Sequence, residues 1–287
     1  MRILVTGHKG FIGRNFFATA YGHEYIGFDK KDGQDLCGDI SGLLENIDVV
    51  VNFAAKTFVD HSIKDPSCFF RNNIQGTFNL LEEARRYPVK KFIHISTDEV
   101  YGSIGEGEHL ETSILNPGNP YSATKAACDM LCLSYFNTYK IPIVIVRPEN
   151  NYGFFQDQQK LIPNVIRRIL SGQPVIVYGD GLHKRMWLRV EDMCSAIHSI
   201  IAVGKPGEIY NIGGNEERTN IEIVRNIYTL LGEKENIEFI PDDKARPGHD
   251  RRYAMNTEKI RSLGWHPIHS LHSLKEVVEH YVGIYGR

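Results

Sequence analysis

The chain has little net charge of either sign: 33 Lys and Arg stand against 35 Asp and Glu in 287 residues, a formal charge of −2 with histidine neutral. That balance excludes a generic polyanion binder, since nucleic-acid affinity rests on many uncompensated cations. Cysteine is scarce and scattered, at five (Cys37, Cys68, Cys128, Cys132, Cys194). Cys128 and Cys132 stand four apart, but no second Cys/His pair at metal spacing accompanies them, so reduced thiols are expected rather than a disulfide framework or a zinc site. No stretch approaches the roughly 18 apolar residues of a membrane span. The opening MRILVTG is too short for a signal-peptide core. Internal repeats and low-complexity linkers are also missing, and the expectation is a soluble, cytoplasmic protein.

What is present suffices for a core: 42% hydrophobic residues, with 14 Tyr and 14 Phe, which excludes disorder. At about 150 residues per domain, the length allows one large domain or two small ones. Short apolar runs lie at residues 2–6, 25–28, 48–53, 91–95 and 141–146, and the third is continuous rather than alternating, as expected of a strand buried on both faces. Helix-like segments lie between them, notably 69–86 and 122–139. Alternating strands and helices predict an α/β fold, a Rossmann-type doubly wound parallel sheet. After about residue 150 the texture changes: 190–203 reads as a helix, EIYNIGG as a strand, and a further helix follows Asn220. Residues 1–150 are read as the cofactor-binding domain and 151–287 as mainly a smaller C-terminal substrate lobe, with the segment near 183–205 returning to the first.

Gly7, Gly10 and Gly13 form G-x-x-G-x-x-G directly after the first strand, with acidic Asp29 about 20 residues on, the context of a dinucleotide fingerprint. Glycines let the backbone approach a pyrophosphate that sits against the helix N-terminus. Asp29 would accept ribose hydroxyls and repel a 2′-phosphate, favouring NAD over NADP, while Lys30 and Lys31 weaken that preference. Tyr121 and Lys125 stand at i, i+4 and share one helix face. An ammonium near a phenol lowers its pKa, which predicts Tyr121 as a general base.

With TGHKGFIG and YSATK, the chain resembles the extended short-chain dehydrogenase/reductase family. HISTDEVYG, NPYSATKAACD, RPENNYG, KLIPNVI, YGDG and RPGHDRRYA resemble its dTDP-glucose 4,6-dehydratase branch over nearly the whole length. The resemblance implies NAD bound by Gly7, Gly10, Phe11, Ile12, Gly13, Asp29, Asp39, Ile40, Ala54, Ala55, Tyr121 and Lys125. It implies catalysis by Tyr121, Lys125, Thr97, Asp98 and Glu99: C4 oxidation, removal of the C5 proton by Glu99 with Asp98 protonating the C6 hydroxyl, and return of the hydrogen to C6. Adjacent Asp98 and Glu99 fit an acid and a base whose pKa values are pushed apart by environment; a solvated acidic loop is the plainer alternative. A sugar nucleotide is implied at Thr97, Asn150, Asn151, Lys160, Arg185, Asn220 and Arg246, with the arginines on the diphosphate. The family also implies a homodimer built on the 69–86 and 122–139 helices. No metal is expected, since His266, His269 and His272 lack a third ligand at sensible spacing.

Three departures stand out. The interval from Asp29 to Asp39 is too short for a helical crossover, so a short loop is expected there in place of a helix and strand, leading to the adenine wall at Asp39 and Ile40. Met186, Arg189 and Glu149 replace residues more usual in the family, on what is read as the substrate side. Two other functions compete: a sugar-nucleotide epimerase or decarboxylase, and a non-catalytic dinucleotide-binding regulator.

Overall fold

The computed structural model describes residues 1–246 and 248–286. The first half alternates β1 (Arg2–Thr6), α1 (Phe11–Ala18), β2 (Glu24–Phe28), β3 (Val49–Asn52), α2 (Val59–Lys64), α3 (Pro66–Phe69), α4 (Gly76–Arg86), β4 (Lys91–Ile95), α5 (Pro120–Tyr139) and β5 (Ile143–Pro148). The second half holds β6 (Asn150–Tyr152), α6 (Leu161–Leu170), β7 (Val175–Tyr178), β8 (Lys184–Arg189), α7 (Val190–Val203), β9 (Ile209–Ile212), β10 (Glu217–Thr219), α8 (Asn220–Leu231), β11 (Ile237–Ile240), α9 (Asp242–Ala245), α10 (Glu258–Arg261) and α11 (Leu274–Tyr285).

Six strands form the main sheet in the order β2-β1-β3-β4-β5-β9, every neighbouring pair parallel. Side chains alternate between the faces of a strand, and the two cores divide accordingly. Ile3, Val5, Val51, Ile93, Val144 and Val146 pack with α1 and α7 through Phe16, Met193, Ile197 and Ile200. Leu4, Val50, Phe92, Ile143 and Ile145 pack with α4 and α5 through Leu80, Leu81, Cys132 and Tyr135. Both faces are covered, which is why these strands read as unbroken apolar runs.

Between β2 and β3 the chain makes only a 3₁₀ turn at Lys30–Asp32 and irregular turns, with no crossover helix, as the short interval required. The run read as one helix over 69–86 is α3, a π-helical stretch at Phe70–Gln75, and α4. Inserting a residue per turn shifts the side-chain register, a change apolar periodicity does not reveal.

The remaining strands build a three-stranded sheet, β10-β8-β6, and a β11-β7 pair. Ile166, Val224, Ile227, Leu274 and Val277 join α6, α8 and α11 into one apolar cluster. Within 183–205, β8 stays with the small sheet, α7 packs on α1, and β9 beyond it joins the main sheet beside β5.

Candidate active site

The glycine turn sits at the carboxyl end of β1, where open α/β sheets bind ligands. Gly7 has φ +71°, and a Cβ there would lie 2.8 Å from the Ala54 nitrogen. Glycine is therefore required both for the backbone conformation and for the close approach to the end of β3. A Cβ on Gly13 would collide with the Gly7 carbonyl. Gly10 caps α1 without a side-chain hydrogen bond, and no acidic residue occupies the first turn. The orphan N–H groups there are a ready anion site, so the cradle fits a dinucleotide diphosphate.

Asp29 follows β2 directly and is almost fully buried. Its carboxylate accepts from Lys9 N and Lys31 N, both at 2.8 Å, which fixes the turn that carries it. Lys30 is paired with Asp35 at 3.0 Å, and Lys31 donates to the Lys9 carbonyl at 3.0 Å. Both lysines are thus engaged locally. Asp39 is exposed and caps Ser41 N at 3.0 Å, while Ile40 is buried with Leu36 and Leu44. Ala54 and Ala55 follow β3 and are partly exposed beside the glycine turn.

The proton-transfer candidates meet at the ends of β4 and α5. Asn119 caps α5 with a reciprocal box: Ser122 N donates to its Oδ1 at 3.0 Å and its own N–H donates to Ser122 Oγ at 3.2 Å. Pro120 pre-sets the first turn,. The same Asn119 Nδ2 donates to Glu99 Oε2 at 3.2 Å. One side chain therefore starts the helix of Tyr121 and orients the acid across from it.

Thr97 Oγ1 donates to Asp98 Oδ1 at 3.0 Å, and Asp98 Oδ2 is buried without a partner among the described residues. Burial, reinforced by the charge of Glu99, pushes Asp98 from its ordinary 3.8 up to about 7. Glu99 is also raised by burial, but Asn119, Lys160, Arg185 and Arg246 oppose the shift. Burial thus favours the protonated form of both carboxyls, most plainly at Asp98, while a cationic surround opposes it at Glu99.

Lys125 lies one turn after Tyr121 on α5, and its ammonium is engaged by β4. Its Nζ donates to the Ile95 carbonyl at 2.8 Å and lies 3.4 Å from His94 Nε2. Tyr121 is pushed upward, first by burial and then by the charge of Glu99, with a hydrogen bond from Thr97 opposing. In the protein alone, burial and the charges of Glu99 and Asp98 disfavour the phenolate, opposite in direction to the lowering expected from Lys125,.

The substrate-side candidates divide. Lys160 Nζ donates to the Thr57 carbonyl at 3.1 Å, and Arg246 grips Asp60 through Nε at 2.6 Å and Nη2 at 3.1 Å. Arg185 is buried over the Tyr253 ring and spends donors on the Lys184 and Asp250 carbonyls at 2.7 and 2.8 Å, which pins the 249–251 loop. Asn150 is partly exposed in β6, and Asn151 Nδ2 donates to the Glu149 carbonyl at 2.9 Å. Asn220 opens α8, its N–H bonded to the His183 carbonyl at 2.9 Å. Arg189, read from sequence as substrate-side, is a buried tie instead. It bonds Glu191 at 2.6 Å and the Ser273 carbonyl at 2.9 Å, joining α7 to the start of α11.

Several buried polar links near the site carry no signal in the sequence. Asp129 and Arg147 form a fully buried pair at 2.9 Å, and Arg147 donates to Tyr101 Oη at 2.7 Å, which donates to Asn211 Oδ1 at 2.8 Å. Ser62, on α2, accepts from Tyr121 N at 3.1 Å. His183 and His249 both face the Asp242 carboxylate, at 3.2 and 2.9 Å, a metal-type trio that sequence spacing hid. Their rings stack 3.9 Å apart at 17°, so the nitrogens lie side by side rather than converging, and Arg185 approaches His249 Nε2 at 3.4 Å. Asp242 thus holds His249 by a hydrogen bond and stands within ion-pair distance of His183, on the loop that carries Arg246. His269 pairs with Asp192 at 2.9 Å.

Residues 3–213 match the NAD dependent epimerase/dehydratase family. The chain is 39% identical to a dTDP-glucose 4,6-dehydratase of Xanthomonas campestris, over 97% of this chain and 92% of that protein. It is 40% identical to the low-salt glycan biosynthesis protein Agl12 of Haloferax volcanii, over 99% of each. Among solved structures, dTDP-glucose 4,6-dehydratase DesIV of Streptomyces venezuelae, with NAD and dTDP bound, superposes with a TM-score of 0.92 at 37% identity, over 100% of this chain and 98% of that one. UDP-glucose 4-epimerase of Thermus thermophilus with NAD gives 0.91 at 29% identity, over 99% of each.

Proposed function

The chain belongs to the NAD dependent epimerase/dehydratase family, and we propose that it converts dTDP-glucose to the 4-keto-6-deoxy sugar nucleotide by losing water. The observation that carries this reading is the buried Thr97-Asp98-Glu99 turn facing Tyr121, with one carboxyl holding its proton up to about pH 7 and the other surrounded by cations. Epimerisation at C4 needs no such acid, whereas expelling hydroxide from C6 does.

NAD, when bound, supplies the acceptor and later donor of a hydrogen with its electron pair, and its ring charge favours the Tyr121 phenolate. Gly7, Gly10, Phe11, Ile12 and Gly13 would hold its diphosphate, Asp29 its ribose, and Asp39, Ile40, Ala54 and Ala55 its adenosine side. Tyr121 Oη takes the C4 hydroxyl proton, Thr97 Oγ1 orients that oxygen, and Lys125 anchors the helix face beneath by its bond to Ile95. The ketone at C4 acidifies C5, from which Glu99 removes a proton while Asp98 gives its own to the C6 oxygen, which leaves as water. Glu99 then returns its proton to C5. Asn150, Asn151, Asn220, Lys160, Arg185 and Arg246 line the sugar-nucleotide side. In this division, residues 1–150 carry the cofactor and 151–287 mainly the substrate.

Incubation with dTDP-, UDP-, CDP- and GDP-glucose followed by product mass spectrometry tests the reading. Loss of one water from the dTDP sugar is expected; retention of water with all four contradicts dehydration. The proposal extends to a cytoplasmic homodimer. The helices over 66–86 and α5 leave Phe70, Phe78 and Met130 exposed, apolar area that a partner copy would cover. No helix among the described residues is long and apolar enough to cross a membrane. Light scattering at the mass of a single chain would contradict the dimer.

A further inference from the structure

Two cations of the small lobe reach across to one short segment after β3. Lys160 donates to the Thr57 carbonyl and lies 4.6 Å over the Phe58 ring. Arg246 is held by Asp60 through its Nε and Nη2 edge, at 2.6 and 3.1 Å, and sits 5.3 Å over Tyr178. Asp60 lies on α2, and two residues further along the same helix Ser62 is fully buried. Its Oγ donates to the Val59 carbonyl at 2.7 Å and accepts Tyr121 N at 3.1 Å. One turn of helix thus touches both the substrate-lobe arginine and the backbone of the proton-transfer tyrosine.

A guanidinium held on its Nε–Nη2 edge keeps Nη1 for a second anion, and a planar fork fixed at one edge has its other edge fixed too. We propose that Asp60 is a positioning residue: it aims Arg246 at the diphosphate of the sugar nucleotide. The proposal rests on the functional reading above, which places a diphosphate at Arg246. Asp60 touches neither substrate nor cofactor in this scheme; it acts through Arg246. Without it the arginine keeps its charge but loses its fixed direction, so the effect belongs to binding and not to the chemical step.

The test is calorimetric binding of dTDP to the NAD-loaded wild type, D60N, R246Q and the double variant, with steady-state kinetics and thermal melts beside it. D60N is expected to weaken dTDP binding on the order of tenfold, with the double variant no weaker than R246Q alone, the non-additivity of residues that act as one unit. The loss should fall on KM with kcat retained, and D60E should recover most of it. D60N binding dTDP as tightly as wild type, or losses that multiply in the double variant, would overturn the proposal alone. Wild type failing to bind dTDP would overturn the functional reading and the proposal with it. If D60N does not fold, R246K decides: it keeps the charge, lacks the fork, and is expected to lose binding comparably, so unchanged affinity would refute the positioning role.

Discussion

Replacing Asp98 with Asn should make the protein more stable while removing its dehydration activity, and the pH dependence of the gain identifies the cause. Asp98 is almost fully buried and its carboxyl is raised from 3.8 to about 7. A folded pKa above the unfolded one means that folding is favoured while the group stays protonated. That advantage is complete below about pH 4 and is lost as pH rises to about 7, where the folded state also ionises. Between those values wild type should lose about 1.4 kcal/mol per pH unit relative to D98N, up to a total on the order of 4 kcal/mol. For a chain of this size that is up to about 8 °C in Tm. Melts of both proteins at pH 5, 6, 7 and 8, at fixed protein and NAD concentration, measure the difference directly, and titrating groups remote from the pair cancel in it. Because Asp98 and Glu99 repel each other, the proton lost near 7 belongs to the pair. A gap between D98N and wild type that stays flat from pH 5 to 8 would refute the assignment of Asp98 as a buried, protonated acid.

Three further outcomes follow from the same geometry. G7A puts a Cβ where φ is +71° and the Ala54 nitrogen is 2.8 Å away, so it should cost about 1–2 kcal/mol from the backbone alone and weaken NAD binding. Unchanged Tm and NAD titration would contradict that. R147M leaves Asp129 buried and unpaired and should cost about 3–5 kcal/mol; the D129N/R147M double variant should recover much of it, and a wild-type melt for R147M would deny the pair its role. Glu149 is buried, accepts from Met255 N at 3.2 Å, and is held well above the usual carboxylate range by burial. E149Q should therefore gain stability over wild type as pH rises from 5 to 8, and a loss that grows with pH would mean that the carboxylate is ionised in the fold.

The sheet was legible because its strands are buried on both faces and show it as unbroken apolar runs, odd residues of β1 in one core and Leu4 in the other. The proposed proton-transfer cluster could be assembled from sequence because its members are local: Thr97, Asp98 and Glu99 on one turn, Tyr121 and Lys125 on one helix. Illegible were the links made only by tertiary approach. Arg246 meets Asp60 across 186 positions and Tyr101 meets Asn211 across 110, and no local pattern marks either pair. The groups that bear on the Tyr121 phenol have a related origin. Spacing places Lys125 on its face, but a carbonyl from β4 takes the ammonium and the Asp-Glu turn faces the phenol. Arg189 looked substrate-facing for the same reason, since its partners on α7 and before α11 are not neighbours of the RMWLR motif.

The central claim is that one active site oxidises C4, expels the C6 hydroxyl and returns the same hydrogen to C6. The most direct measurement supplies dTDP-glucose carrying deuterium at C4 and reads the product by mass spectrometry and NMR. The account predicts a product lighter by water, with the deuterium retained and located at C6. Deuterium still at C4, or a product that keeps its water, would contradict it.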